Sequence, residues 1–229
     1  MKRSIQYLIA LLVVVAAAYI LFVYGQQKPT TVDTATSTTA IVGQMTVVPV
    51  QESTDTYTID ATYPQFGIPS VDAAIKSTVD AGLNEFRSYP PNPPDSSTPK
   101  NSLIEKFDHV YQGPDVVSVS LLVSEDTGGA HPNTNIITIN VDLRTGHVLT
   151  PDDVIALIGK TLSQVAVGSQ EQVTTAIGSD EIFADGFAAT ADNYATFRID
   201  KDSVTFIFNN YQVAPYSAGP QQAVFARIK

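Results

Sequence analysis

Residues 116–142 read VVSVSLLVSEDTGGAHPNTNIITINVD. Val117, Val119, Leu121 and Val123 alternate with Ser118, Ser120 and Leu122, while Ile137, Ile139 and Val141 alternate with Thr138 and Asn140. A period of two puts one set of side chains on a single face, the pattern of a half-buried strand. The two runs are expected to pair as antiparallel neighbours across the loop at 125–135. That loop contains Gly128, Gly129, Ala130, His131 and Pro132. Its glycines permit positive φ or a close backbone approach, and Pro132 restrains His131 to an extended geometry. Two uses fit: a tight fold-back between strands, and a shaped recognition loop of the kind rigid sheets often carry.

Towards the C-terminus, Arg144, Thr145, Gly146 and His147 mark a turn. Thr150, Pro151, Asp152 and Asp153 then read as an N-cap, a proline at the first helical position and acids in the positive first turn. A short helix is expected there and another over 162–177. Residues 194–200 and 203–209 form an expected hairpin across Asp200, Lys201 and Asp202, with Phe197 and Ile199 facing Phe206 and Phe208 in a register the pattern leaves open. Residues 222–228 are an expected last strand.

Towards the N-terminus, Tyr57, Ile59 and Ala61 alternate with Thr58 and Asp60, suiting a further strand. Val71, Ile75, Val79, Leu83 and Phe86 recur at steps of four, four, four and three, one face of an amphipathic helix with Ser70 positioned to cap it. Residues 88–101 carry five prolines and read as a loop. The sum is an α+β fold, a mostly antiparallel sheet with helices packed on one side.

Residues 5–24 read IQYLIALLVVVAAAYILFVY, long enough at about 1.5 Å per residue to span a hydrocarbon core of about 30 Å. A cleaved secretory signal is the alternative, but the apolar run continues past the small residues Ala16 and Ala18. Lys2 and Arg3 precede the run, so the positive-inside bias keeps residues 1–4 in the cytoplasm as a short tail and sends the rest outside. The expectation is a single-pass membrane protein whose C-terminal domain is extracytoplasmic. Residues 25–56 are Thr-rich, with few large apolar side chains before Ile41, and are expected to form a flexible stalk. Residues 45–50 are β-prone and make that boundary soft.

The chain has 229 residues and a formal charge of −10, and without Lys2 and Arg3 it carries 11 basic against 23 acidic groups. That balance argues against nucleic acid, which demands clustered Lys and Arg. The absence of cysteine excludes disulfides, thiolate zinc sites and a Cys nucleophile. No cofactor is expected. The three histidines, His109, His131 and His147, have no helical zinc spacing, so no metal site is expected, and they read as turn residues. Neither a G-x-S-x-G elbow nor a phosphate loop occurs, and Asp152 and Asp153 are better explained by helix capping than by acid–base chemistry. No catalytic residue is expected. Tyr89, Tyr211 and Tyr216 are aromatic side chains that can serve an interface.

Three elements recur in a recognisable order: GGAHP at 128–132, the strand and turn NVDLRTGHVLTPDDVI at 140–155, and FNNYQVAPYSAG at 208–219. This set resembles the extracytoplasmic domain shared by the anti-sigma factor RsiV and the non-catalytic N-terminal region of PdaC-type peptidoglycan deacetylases. Upstream, residues 58–86 resemble the companion segment of that family. The resemblance covers about residues 57–229 and implies an envelope-facing α+β module of two adjoining segments, 57–115 and 116–229. In RsiV it implies recognition of lysozyme and release of a sigma factor. Four cytoplasmic residues leave nothing here to hold a sigma factor, and no deacetylase domain follows Lys229, so neither activity is expected to carry over.

The resulting expectation is a non-enzymatic, membrane-anchored binding module. Gly128, Gly129, His131, Pro132, Tyr211 and Tyr216 are its candidate binding residues, and a lysozyme-like cationic protein or peptidoglycan its partner. An acidic head speeds encounter with a basic partner. The alternatives are an envelope hydrolase built around His131, Asp142, Asp152 and Asp153, and a purely structural accessory subunit.

Overall fold

The computed structural model describes residues 45–93 and 97–228. The expected cytoplasmic tail at 1–4, the transmembrane helix at 5–24 and the stalk as far as residue 44 lie outside them. Among the described residues no helix is long and apolar enough to cross a membrane.

Two sheets and three helices are present among the described residues. Strands β1 (Thr46–Ser53), β2 (Tyr57–Gln65), β3 (Asn101–Gln112), β4 (Val116–Asp126) and β5 (Asn133–Asp142) form a five-stranded sheet in that order. All its neighbours are antiparallel except β2 and β3, which run parallel and are connected through helix α1 (Pro69–Arg87). Strands β6 (Phe197–Ile199), β7 (Ser203–Phe208) and β8 (Gln221–Ala226) form a separate antiparallel sheet. Helices α2 (Pro151–Ile158) and α3 (Leu162–Ile177) share the apolar cluster of that sheet. The α+β class stands, but the single sheet with helices on one side becomes two sheets with separate cores.

The first core follows from α1. Val71, Ile75, Val79, Leu83 and Phe86 are all buried, packed with the odd-numbered face of β4 and with Ile59, Leu103, Ile139 and Val141. Buried residues of this kind contribute roughly 1.5–3 kcal/mol each. Ser70 does not cap the helix: the N-cap is Ile68, and Pro69 takes the first turn, where its missing N–H is no loss. The second core is aromatic, with Tyr194 set edge-on to Phe206 and Phe208.

The alternation in β4 has a different meaning from a half-buried strand. Ser118 and Ser120 are as buried as Val117 and Val119, because edge strand β6 lies over the even-numbered face of β4 and β5. The free edge of β6 needs partners, and polar side chains supply them. Ser118 Oγ accepts from Ile199 N–H at 3.0 Å, Thr138 Oγ1 accepts from Phe197 N–H at 3.1 Å, and the Asn140 amide donates to Phe197 C=O at 2.7 Å. Ser118, Thr138 and Asn140 therefore join the two sheets, satisfying backbone groups that would otherwise be buried unpaired. Asp115 and Arg227 add an ion pair between the β3–β4 turn and the end of β8.

Other expectations are met or revised locally. The β4–β5 pairing, the hairpin with Phe197 opposite Phe206, and helices α2 and α3 appear as expected. Ile199, however, lies opposite Val204 rather than a phenylalanine, and Tyr194 belongs to a 3-10 turn rather than to the strand. Thr46–Ser53 is a sheet strand inside the segment assigned to the stalk, drawn in because Val48 and Val50 pack on the first core. The large sheet also crosses residue 115, so the two expected segments share it. Strand β3 is not foreshadowed by the pattern: Glu105 occupies an inward position, and the register shifts between Phe107 and His109. His109 accordingly lies in a strand rather than a turn, with Nε2 3.1 Å from Asp200 Oδ1.

Candidate functional site

The loop after β4 and the loop after β7 meet beside the outer edge of β5. Asn209 pairs with Ile136 as a strand residue would: its Oδ1 accepts from Ile136 N–H at 2.7 Å and its amide donates to Ile136 C=O at 3.0 Å. Asn210 donates to Thr134 C=O at 2.8 Å. These side chains cover an edge that would otherwise offer free backbone groups, and they bring Tyr211 and Tyr216 to His131.

The His131 and Tyr216 rings stack with centroids 3.9 Å apart and planes 22° from parallel, and the Tyr211 ring lies 5.6 Å from that of Tyr216. His131 Nδ1 is 2.9 Å from Pro132 C=O, and a carbonyl only accepts, so Nδ1 carries a proton. In the neutral imidazole Nε2 is then an acceptor, and Tyr211 O–H donates to it at 3.4 Å. Tyr216 O–H donates to the same Pro132 carbonyl at 3.2 Å. Tyr211 is 58 % exposed and is the only non-glycine among the described residues at positive φ, +66°. An aromatic residue in the left-handed region costs roughly 1–2 kcal/mol. A strained, exposed ring on an anchored loop is suited to contact rather than to core packing.

Of the six expected binding residues, four come together: His131, Pro132, Tyr211 and Tyr216. Gly128 faces elsewhere. Gly128 has φ +87°, donates to Asp126 Oδ1 at 2.9 Å, and lies so near Asn92 and Thr98 that a Cβ would collide with the Pro-rich loop. Its use is the tight fold-back. Gly129 has ordinary φ, and a Cβ there would meet only the His131 carbonyl oxygen, at 3.7 Å. Tyr89 is half-buried, edge-on to Phe86, and donates to Glu125 Oε2 at 3.3 Å.

Two of the three carboxylates weighed for hydrolysis, Asp142 and Asp153, are engaged locally. Asp142 Oδ1 accepts from the Arg144 and Thr145 N–H groups of its own turn. Asp153 and Thr150 form a capping box. The Thr150 N–H and hydroxyl bonds, reinforced by His147, keep the Asp153 carboxyl below the usual range. Among the described residues no group of three or more His, Asp or Glu side chains is disposed to hold a metal ion.

A second concave feature was not legible in the pattern. Between α1 and the large sheet lies a cavity of about 240 Å³ lined by Glu85, Glu105, Glu125, Asn133 and Asn135, with Leu121, Val123 and Ile137 as apolar walls. Glu105 lies in register with Val123, which pairs with Asn135. Only 2 % of Glu105 is exposed, and burial pushes its carboxyl up to about 7. Glu125 is also raised, by burial and by Glu85. The available signal was an acid spaced two residues from Leu103 and Phe107, legible only once β3 is known to be a strand.

Residues 152–227 match the DUF3298 family, described as a protein family of unknown function. The chain is 24% identical over 198 residues to the peptidoglycan-N-acetylmuramic acid deacetylase PdaC of Bacillus subtilis (strain 168), so the resemblance to PdaC-type proteins stands. The match covers 85% of this chain and 42% of PdaC, less than half of that relative. In fold, the chain resembles the crystal structure of a DUF3298 family protein from Pseudomonas aeruginosa PAO1, with a TM-score of 0.54 and 16% identity over 81% of this chain and 92% of that one. It also resembles a DUF3298 member from Bacteroides fragilis NCTC 9343, with a TM-score of 0.51 and 18% identity over 82% and 91%.

Proposed function

We propose that this chain is a membrane-anchored, extracytoplasmic binding module whose aromatic patch of His131, Tyr211 and Tyr216 grips a lysozyme-like cationic protein of the cell envelope. The observation that carries this reading is Tyr211, exposed and held in left-handed backbone beside a stacked His–Tyr pair. Tyrosines of this kind dominate many protein interfaces because they bury much area at little conformational entropy. The excess of 23 acidic groups over 13 basic ones favours a basic partner and quickens encounter. The resemblance to RsiV supports the choice of lysozyme. Binding is favoured over catalysis because the ring nitrogens of His131 are taken by Pro132 C=O and Tyr211 O–H, with neither a nucleophile nor an orienting carboxylate among their partners. Residues 5–24 serve as the anchor.

The test is capture of hen-type lysozyme by the purified full chain at about 20 and about 150 mM salt, a range over which screening of exposed charges changes. A complex weakened at least tenfold by Tyr216→Ala is expected, and no complex at either salt ends the lysozyme reading. A second reading, peptidoglycan as ligand, is favoured by the 24% identical relative, whose name places peptidoglycan as its substrate. Co-sedimentation with purified sacculi, lost in Tyr216→Ala, distinguishes it. Protease protection in intact cells checks the topology.

A further inference from the structure

We infer that the cavity between α1 and the large sheet is a binding site for an alkylammonium group, with Glu105 at its base and Glu85 and Glu125 beside it. Three glutamates alone would say little. The stronger observation is that Glu105, almost fully buried, has one carboxyl oxygen with no hydrogen-bond partner among the described residues. Buried acceptors are nearly always satisfied, and an unmet one costs about 1–3 kcal/mol. Among the described residues no Lys, Arg or His lines the cavity. Of the neutral donors lining it, the Thr78 hydroxyl is given to Ala74 C=O and the Tyr89 hydroxyl to Glu125, which leaves the Asn133 and Asn135 amides; an ammonium brings three donors together with the opposite charge.

Gly82 is an independent sign. It lies inside α1 and lines the cavity, yet an added Cβ would meet nothing within 4 Å. Glycine within a helix costs about 1 kcal/mol relative to alanine, and neither backbone strain nor close packing requires it here. What it preserves is room.

The walls select the class of cation. A bare metal ion such as calcium needs several ligands converging at about 2.3–2.6 Å, and no group of three or more His, Asp or Glu side chains is so disposed among the described residues. Leu121, Val123 and Ile137 instead offer an apolar sleeve for an aliphatic stem. The volume of about 240 Å³ is below the range of about 300–1,000 Å³ of whole small-ligand sites, so the cavity takes one functional group of a larger ligand. A neighbouring groove shares Tyr89, Glu125 and Asn133 and continues past Pro90 and Pro91, giving the remainder of such a ligand a path. Lysine side chains and amino sugars both present the required chemistry.

Calorimetric titration of the full chain in non-ionic detergent separates these sources. The probes are Nα-acetyl-lysine methylamide, glucosamine, the Nε-acetylated lysine derivative as a neutral control, and calcium chloride. The expected result is binding of the lysine derivative, none of the neutral control, and at least a tenfold loss in both Glu105→Gln and Glu125→Gln. Affinity for the lysine derivative should rise from pH 6 to pH 8 as Glu105 loses its proton, since the groups facing it, Glu85 on α1, Tyr89 just beyond it and Glu125 on β4, include no base to compete for the carboxylate. Glucosamine binding that depends on Glu105 supports the same site and assigns an amino sugar as its source. Failure of both amines, equal binding of the neutral control, an unaffected Glu105→Gln, or calcium binding that depends on Glu105 overturns the inference. The inference is independent of the aromatic patch: lysozyme capture can fail while the amine binds, and the reverse.

Discussion

Replacing Glu105 by glutamine should stabilise this protein, and by an amount that depends on pH. The carboxyl lies between Ala61 and Val123 across the sheet, and burial raises its ionisation from an ordinary 4.5 to about 7. Below pH 4.5 the folded and unfolded chains both keep the proton, and the contribution of this group to stability is fully present. Between 4.5 and about 7 the unfolded chain releases the proton while the fold retains it, so stability falls as pH rises. Above about 7 both states are ionised and the loss is complete. At about 1.36 kcal/mol per pH interval the total is about 3 kcal/mol, an upper figure because the cavity opens to water. The glutamine side chain of the variant has no proton to lose. Wild type and Glu105→Gln should therefore nearly coincide at about pH 4.5 and diverge by up to about 3 kcal/mol at about pH 8, with the variant more stable. Urea unfolding followed by circular dichroism at about pH 4.5, 5.5, 6.5 and 8 measures this, provided the m-values match. A difference that stays constant with pH, or a variant less stable at pH 8, would refute the reasoning.

Other consequences are equally specific. Ser118→Ala leaves the Ile199 N–H buried without its partner and should cost about 1–3 kcal/mol in urea unfolding, whereas Ser120→Ala, whose hydroxyl has no partner among the described residues, should stay within about 0.5 kcal/mol of wild type. Gly82→Ala should raise stability by about 1 kcal/mol, since helix propensity improves and the new methyl meets no atom; thermal unfolding reads it. Tyr211→Gly should raise stability by about 1 kcal/mol through relief of left-handed strain while weakening lysozyme capture. A variant that loses both stability and binding would assign Tyr211 to packing instead.

Local periodicity was legible wherever the partner surface lay within the same element or its immediate neighbour. The spacing of Val71, Ile75, Val79, Leu83 and Phe86 identified a helix face, and Thr150, Pro151 and Asp153 identified a helix start, because both depend on bonds and contacts within a few residues. The aromatic site was half legible. GGAHP could be singled out as unusual, and Tyr211 and Tyr216 as interface candidates, but 80 residues separate His131 from Tyr211, and only the Asn209 clamp on Ile136 places them in contact.

What the sequence alone determined, then, is the α+β class, the helix faces, the β4–β5 and β6–β7 hairpins and the residues worth suspecting. What only the tertiary structure decided is the division into two sheets, the burial of the serine face of β4, and the burial of Glu105. The physical reason is that a side chain's pattern states which neighbours share its face, but not what lies over that face. Ser118 and Glu105 are ordinary polar residues of a strand until β6 and α1 remove the water above them.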